Sequence, residues 1–271
     1  MTDVQYQKLP RPSGELQHEY GDKVHLLSHP FAMAMLERLS SPDTVQPEVN
    51  RLVGTLYDLL LSEVSNRILA TKQVDSPTRM IEFTEHGMYR GESIDRQQKV
   101  VVVDVARAGI IPAHHFYEGL HQVIEHSCLR QDHVVASRTT DADGCVTGVT
   151  LDGSKIGGPI DDATVIFPDP MAATGSSIAG VIQHYQNALG GVPRALAAVH
   201  LIVTPEYIRR MVAEFPELHI FAIRLDRGLS GAEILDSTPG TYAEQERGLT
   251  DNQYIVPGAG GVGEVLNNAW I

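Results

Sequence analysis

The stretch "TVIFPDPMAATGSSIAGVI", residues 164–182, brings together residue types that bind anions. An apolar run ends in Asp169, set between Pro168 and Pro170. Met171, Ala172, Ala173, Thr174, Gly175, Ser176 and Ser177 follow before an apolar pattern resumes. A parallel strand running into a small-residue loop and then a helix aims backbone N–H groups and the helix N-terminus at one spot. Ala172, Ala173, Gly175 and Ser176 let an oxyanion approach the backbone, and Thr174 and Ser176 add hydroxyl donors. A carboxylate beside such a cradle repels phosphate, so Asp169 makes sense as a partner of sugar hydroxyls or of Mg2+. The ligand inferred is a phosphorylated sugar. An ordinary strand-to-helix loop with a capping residue fits the same pattern, and these residues alone leave both readings open.

Other motifs carry less. No Gly-Lys-Ser/Thr follows the loop, which argues against a nucleoside triphosphatase. "GAGGVG", residues 258–263, has the spacing of a dinucleotide fingerprint, but no βαβ unit follows in the eight residues after it, and it is set aside. His114 and His115 resemble a metal pair, yet adjacent helical residues point apart.

The elements that position the loop are legible as alternation. "KVVVVDVARAG" is a continuous β-branched run that reads as a strand buried on both faces. "HVVASRT", "TVIFP", "ALAAVHLIVT" and "HIFAIRL" read as four more strands. The helices "PAHHFYEGLHQVIEHS", "SSIAGVIQHYQNALG" and "PEYIRRMVAEFP" stand between strands. This order predicts an α/β fold with a central parallel sheet and right-handed crossovers. Upstream, "FAMAMLERL" and the segment from Pro47 with Leu52, Leu56, Leu59 and Leu60 read as helices. "TRMIEFTEHGMYRGESI" is expected to form one or two edge strands. The glycine- and acid-rich residues 141–162 are expected to be a protruding hairpin or a mobile loop. Residues 1–24 are polar and are expected to form a poorly ordered arm, leaving 25–271 as a single domain.

The length of 271 residues suits one α/β domain with additions, and the formal net charge of −13 argues against a broad nucleic-acid footprint or an anionic membrane surface. Cys128 and Cys145 are too few for a disulfide framework and lack metal-ligand spacing. No apolar signal region and no bilayer-length apolar stretch is visible, so a cytoplasmic location is expected.

Four segments, in order, resemble the uracil phosphoribosyltransferase family. "SHPFAMAMLERL" is similar to its N-terminal His-Pro helix and "ARAG", 106–109, to its pyrophosphate loop. "DPMAATGSS" resembles its phosphoribosyl-diphosphate motif. "QYIVPGAGGVGE", 253–264, resembles its uracil-binding segment. Together they span about residues 25–267. The resemblance implies a type I phosphoribosyltransferase fold, with a hood formed by N- and C-terminal segments, and the reaction of uracil with 5-phosphoribosyl 1-diphosphate to give UMP and pyrophosphate. It implies catalytic roles for Asp169, on the ribose hydroxyls, and Arg107, on the departing pyrophosphate. Phosphoribosyl diphosphate would be bound by Arg107, Arg138, Asp169, Pro170, Met171 and the residues from Ala172 to Ser177. The base would be held by Tyr254, Ile255, Gly260, Gly261 and Val262, largely through main-chain groups. Mg2+ would arrive with the substrate, without direct protein ligands. Lys155 is a match to the family's loop lysine. A cis Ala106–Arg107 peptide and a homodimer or higher homo-oligomer are also implied, with small-molecule partners and neither nucleic acid nor membrane.

The chain departs from the family pattern at the base. Gly261 and Glu264 stand where the family has aspartates, and residues 230–252 form an acidic insertion before Tyr254. The insertion is expected to lie over or beside the base pocket, with at most one short helix at "AEIL" or "YAEQE", and Gly261 is expected to enlarge the pocket. Two alternatives therefore accompany uracil transfer. One is a phosphoribosyltransferase for another base or a specialised acceptor. The other is a non-enzymatic regulator of the same fold that senses a nucleotide.

Overall fold

The computed structural model describes residues 14–140 and 146–269. Strand β4 (Val100–Ala106) is buried along its length and lies centrally in an eight-stranded sheet. Its neighbours are β7 (Thr164–Pro168) and β5 (Leu129–Thr140). Beyond β7 come β9 (Ala195–Val203), β10 (Leu218–Leu225) and β1 (Val24–Leu26), all parallel. The short β8 (Met171–Ala172) continues beside β9 where β7 stops. At the other edge β6 (Val146–Lys155) runs antiparallel to β5, so the segment expected as a hairpin or loop is a hairpin, its tip at 141–145, including Cys145, lying outside the described residues.

Alternating residues of the strands feed two cores. Val100, Val102, Ile166, Val199 and Phe221 face α1 (Pro30–Ser40), α2 (Glu48–Ile68), α3 (Ile110–Leu120) and α7 (Val262–Asn267). Val101, Val103, Phe167, Ala198 and Ile220 face α4 (Ser176–Leu189) and α5 (Pro205–Glu214). Helices therefore cover both faces of a mostly parallel sheet, as the strand–helix alternation requires.

Three expectations are refined. "TRMIEFTEHGMYRGESI" yields one strand, β3 (Met88–Ile94), after a 3-10 turn at Arg79–Glu82. It pairs with β2 (Thr71–Pro77) as a hairpin separate from the main sheet. "TKQVDSP" has almost no apolar alternation, which hid β2. Of the expected arm at 1–24, residues 1–13 lie outside the described residues, and the chain from Gly14 is part of the body. Leu16 N–H donates to Leu26 C=O (2.8 Å), Ser28 N–H donates to Gly14 C=O (2.8 Å), and Val24 opens β1. Tyr20 is buried, its hydroxyl donating to Glu246.

The third concerns 230–252. It contains the short α6 (Ala232–Leu235), at "AEIL", and its last residues lie beside the 254–256 segment: Leu249 bridges Ile255, and Val256 N–H donates to Gly248 C=O (2.8 Å). Glu246 is fully buried and takes Arg227 Nη1 (3.0 Å) and Gly240 N–H (2.8 Å). Arg227 also donates to the carbonyls of Ile234 (2.9 Å) and Ser237 (2.7 Å). Glu206 of α5 accepts Gly248 N–H (3.0 Å), and Glu19 N–H donates to Pro239 C=O (2.8 Å). The middle of the insertion is seated on α5 and the N-terminal segment, around the buried Glu246.

Candidate active site

The carboxyl ends of β4 and β7 are neighbours, with Val102 opposite Ile166. Asp169 leaves β7 half-buried, and its Oδ1 accepts Met171 N–H (3.1 Å). The loop then turns at Gly175, φ +80°, a left-handed conformation that favours glycine. A Cβ there would also stand 3.0 Å from Met211 Sδ and 3.2 Å from the Tyr207 ring. Helix α4 begins at Ser176, whose N–H donates to Thr174 Oγ1 (3.4 Å), and Gly175 offers no side-chain cap. Its first-turn N–H groups face the loop, next to the Thr174 and Ser176 hydroxyls, which lie 3.1 Å apart. Pro170, Met171, Ala172, Ala173, Thr174, Gly175, Ser176 and Ser177 thus form one continuous turn from strand to helix.

The Ala106–Arg107 peptide is cis, as expected, and the Arg107 side chain is exposed at the end of β4. A Cβ on Gly109 would stand 2.7 Å from Val105 O and 3.1 Å from Pro168 O, so only glycine lets this turn lie against the strand that presents Asp169. A Cβ on Gly263 would stand 3.4 Å from Ala108 Cβ, which brings the C-terminal segment onto the same turn. Val262 is buried beneath it and Ile255 is partly buried, whereas Tyr254 is exposed. Gly258 and Gly260 have φ of +62° and +70°. Gly261 precedes α7, and a Cβ on it would stand 2.5 Å from Glu264 Oε2. The carboxylate of Glu264 therefore already occupies space beside Gly261, and the simple enlargement expected there is not seen. Three of the sequence-predicted segments converge.

Arg138 lies on β5 three positions beyond Val135, the partner of Ala106, and its main chain pairs with Val149. Lys155 pairs with His133, level with Asp104, and so stops short of the sheet's carboxyl end. His115 packs on Gly54 of α2, 3.9 Å from Asp58 Oδ1. A groove of about 820 Å3 between α1 and the Pro257–Gly258 turn has none of the 169–177 residues in its lining.

Four features escaped the sequence reading. Arg210 of α5 donates from Nη1 to Ser176 Oγ (2.8 Å), adding a guanidinium to the loop. Asp226, buried at the end of β10, accepts Arg224 Nη2 (2.9 Å) and Gly258 N–H (2.7 Å), while Arg224 Nη2 also donates to Gly258 C=O (3.0 Å). Asp104 is buried beside His133 (2.9 Å to Nδ1). Burial pushes its carboxyl up, the His133 contact opposes this, and Oδ1 has no hydrogen-bond partner among the described residues. The buried His200 stands beside Asp169. Arg210, Asp226 and His200 sit in stretches whose pattern reads as plain helix or strand.

The family model described as uracil phosphoribosyltransferase matches residues 26–241. The chain belongs to the uracil phosphoribosyltransferase family. The uracil phosphoribosyltransferase of Natronomonas pharaonis is 28% identical over 246 residues, 90% of this chain and 95% of that protein. That of Pyrococcus furiosus is 28% identical over 236 residues, 87% and 85% of the two chains. The structure of the AQ2163 protein from Aquifex aeolicus has a TM-score of 0.67 at 23% identity, covering 90% of this chain and 97% of that one, a likeness of fold. The protein is a transferase of the phosphoribosyltransferase type, acting on a base. The family match ends before Tyr254, so the base segment, where the departures Gly261 and Glu264 lie, falls outside it. No described helix is long and apolar enough to cross a membrane.

Proposed function

We propose that the protein transfers the phosphoribosyl group of 5-phosphoribosyl 1-diphosphate to uracil, giving UMP and pyrophosphate. The observation that carries this reading is the convergence of Asp169, the Arg107 turn and the 254–263 segment through Gly109 and Gly263. In this reading the start of α4 and the Thr174 and Ser176 hydroxyls hold the 5′-phosphate, and Arg210 adds charge to the cradle. Asp169 accepts hydrogen bonds from the ribose hydroxyls. Arg107, exposed at its turn, meets the pyrophosphate. As the C1–oxygen bond breaks, negative charge grows on the leaving group, and a guanidinium placed there is worth more in the transition state than before it. The base nitrogen then forms the new bond to C1 and releases its proton to solvent.

Mg2+ would be carried by the substrate's diphosphate and hydroxyl oxygens, screening their charge. Mg2+ keeps most of its ligands from water and phosphate oxygens in sites of this kind. A homo-oligomer is also part of the proposal, supported by Met80, Ile81 and Phe83, all exposed at the turn of the β2–β3 hairpin. A cytoplasmic location agrees with the free Cys128. The Glu264 carboxylate beside Gly261 favours one second reading, an acceptor other than uracil whose edge donates to that acid.

The test incubates the protein with phosphoribosyl diphosphate, Mg2+ and each nucleobase in turn, with mass spectrometry for the nucleotide. UMP as the dominant product is the expected result. A nucleotide of another base establishes the second reading, and no product from any base removes both.

A further inference from the structure

The sheet lets go of one carbonyl at the point where Asp169 leaves it. Asp169 N–H donates to Val199 C=O (3.0 Å), the bond of a regular parallel ladder. The next ladder bond would run from Leu201 N–H to Asp169 C=O. Leu201 N–H instead goes one residue further, to Pro170 C=O (3.1 Å). The Asp169 carbonyl is left at a buried strand end, where an unpaired acceptor is costly.

We propose that His200, seated by Tyr207, is a positioning residue for Asp169: its imidazole takes up the released carbonyl and so fixes the direction of the carboxylate. His200 Nδ1 lies 2.6 Å from Asp169 O, and because a carbonyl only accepts, Nδ1 carries the proton. His200 Nε2 then accepts from the Tyr207 hydroxyl (2.7 Å). Both rings are fully buried, on the α4–α5 side of the sheet. Burial holds the His200 pKa down to about 4, so the ring is neutral and carries a single N–H. The Tyr207 hydroxyl therefore selects the tautomer that serves Asp169. The N–H side of Asp169 is supported from the opposite face, since Val199 C=O also accepts the Tyr57 hydroxyl (3.2 Å). Thr204 extends the support, its hydroxyl donating to Ala173 C=O (2.6 Å). A leucine at 200 would fill the space and leave the carbonyl orphaned. The peptide would rotate toward another donor, and the carboxylate would turn with it.

The inference rests on the proposed phosphoribosyl transfer. Its test uses the full-length protein and the variants His200→Leu, His200→Asn and Tyr207→Phe. Asparagine keeps an N–H donor near the position of Nδ1. Steady-state kinetics give kcat and each KM, calorimetry gives the Kd for phosphoribosyl diphosphate with Mg2+, and thermal melts report folding. Expected are a fall of tenfold or more in kcat/KM for phosphoribosyl diphosphate in His200→Leu, a smaller fall in Tyr207→Phe, and an unchanged KM for the base. His200→Asn should return to within about threefold of wild type. If His200→Leu fails to fold, Tyr207→Phe and His200→Asn carry the same comparison. Kinetics of His200→Leu and Tyr207→Phe within twofold of wild type overturn the proposal. So does an asparagine variant no better than leucine, or a loss shared equally by the base KM. If wild type makes no nucleotide but its Kd still weakens in His200→Leu and recovers in His200→Asn, the acceptor reading falls and the positioning role stands. A wild type that binds no phosphoribosyl diphosphate overturns both.

Discussion

The phosphate loop and the base segment both sit at the carboxyl end of one sheet, but they are held by different physics. Residues 169–177 are fixed by a strand ladder, a left-handed glycine and neutral buried side chains, His200, Tyr207 and Thr204. The 254–263 segment lies outside the sheet. It is held by a bridge from Leu249 to Ile255, by main-chain bonds of Val256 with Gly248 and Gly228, and by the Arg224–Asp226 pair, which grips both the N–H and the C=O of Gly258. A ladder distributes its load over many weak bonds. A buried charge pair concentrates it, and losing one partner strands the other. In the proposed reading, the common part of the substrate meets the frame of the sheet, while the part that sets specificity meets a segment held by loop contacts and this clamp.

Asp226→Ala should break the second region most severely, by about 3 kcal/mol of unfolding free energy, because it removes the buried acceptor of Gly258 N–H and the partner of the half-buried Arg224. Urea melts measure it, and calorimetry on the variant that still folds should show phosphoribosyl diphosphate bound and the base lost. Loss of both ligands together would mean the two regions are not separable. Asp169→Asn should do the reverse, with an unchanged melt and a kcat/KM lower by about 100-fold, since the charged acceptor for the ribose hydroxyls is gone. Acid should act on the first region. The unfolded His200 takes its proton near pH 6.5, the folded one only near pH 4. Stability is therefore full above pH 6.5 and falls as pH drops toward 4, by about 2 kcal/mol at pH 5. His219, also brought down to about 4 by burial, acts in the same direction. Melts across pH 4–8 for wild type and His200→Asn should show the shallower slope in the variant. Glycine substitutions give the finest comparison. Gly175→Ala should cost about 1–2 kcal/mol for its left-handed backbone, since its Cβ meets the flexible Met211 side chain and only the edge of the Tyr207 ring, both of them side-chain rather than main-chain atoms. Gly258→Ala should cost more, because its Cβ meets the Ile255 carbonyl, which cannot step aside.

The difference between the regions also explains what could be read in advance. The phosphate loop is written in consecutive residues, so Asp169 and the small run after it announce themselves. Strand–helix alternation gave the sheet in the same way, through β-branched runs such as "VVVVDVA". The clamps are written across the chain. His200 sits in "ALAAVHLIVT" and reads as an ordinary core histidine, and only the register places it opposite Asp169. Arg210 belongs to the amphipathic "PEYIRRMVAEFP", where an arginine reads as solvent-facing. Glu246, in "YAEQERG", looks like a surface acid and is instead fully buried against Tyr20 and Arg227. The expected placement of 230–252 over or beside the base segment is met in part, where Leu249 bridges Ile255, while the seating of its middle on a buried acid carries no local pattern.

The pairing of β1 with β10 has a consequence for the order in which the chain becomes a protein. Val24 leaves the ribosome roughly 200 residues before its partner Ile220 exists. At ordinary synthesis speeds the segment at 14–27 must wait for about 10–40 s. During that interval Leu26 and Tyr20 have nowhere to be buried, while α1, α2 and the β2–β3 hairpin are already available. The first part of the chain to be made is among the last to be folded.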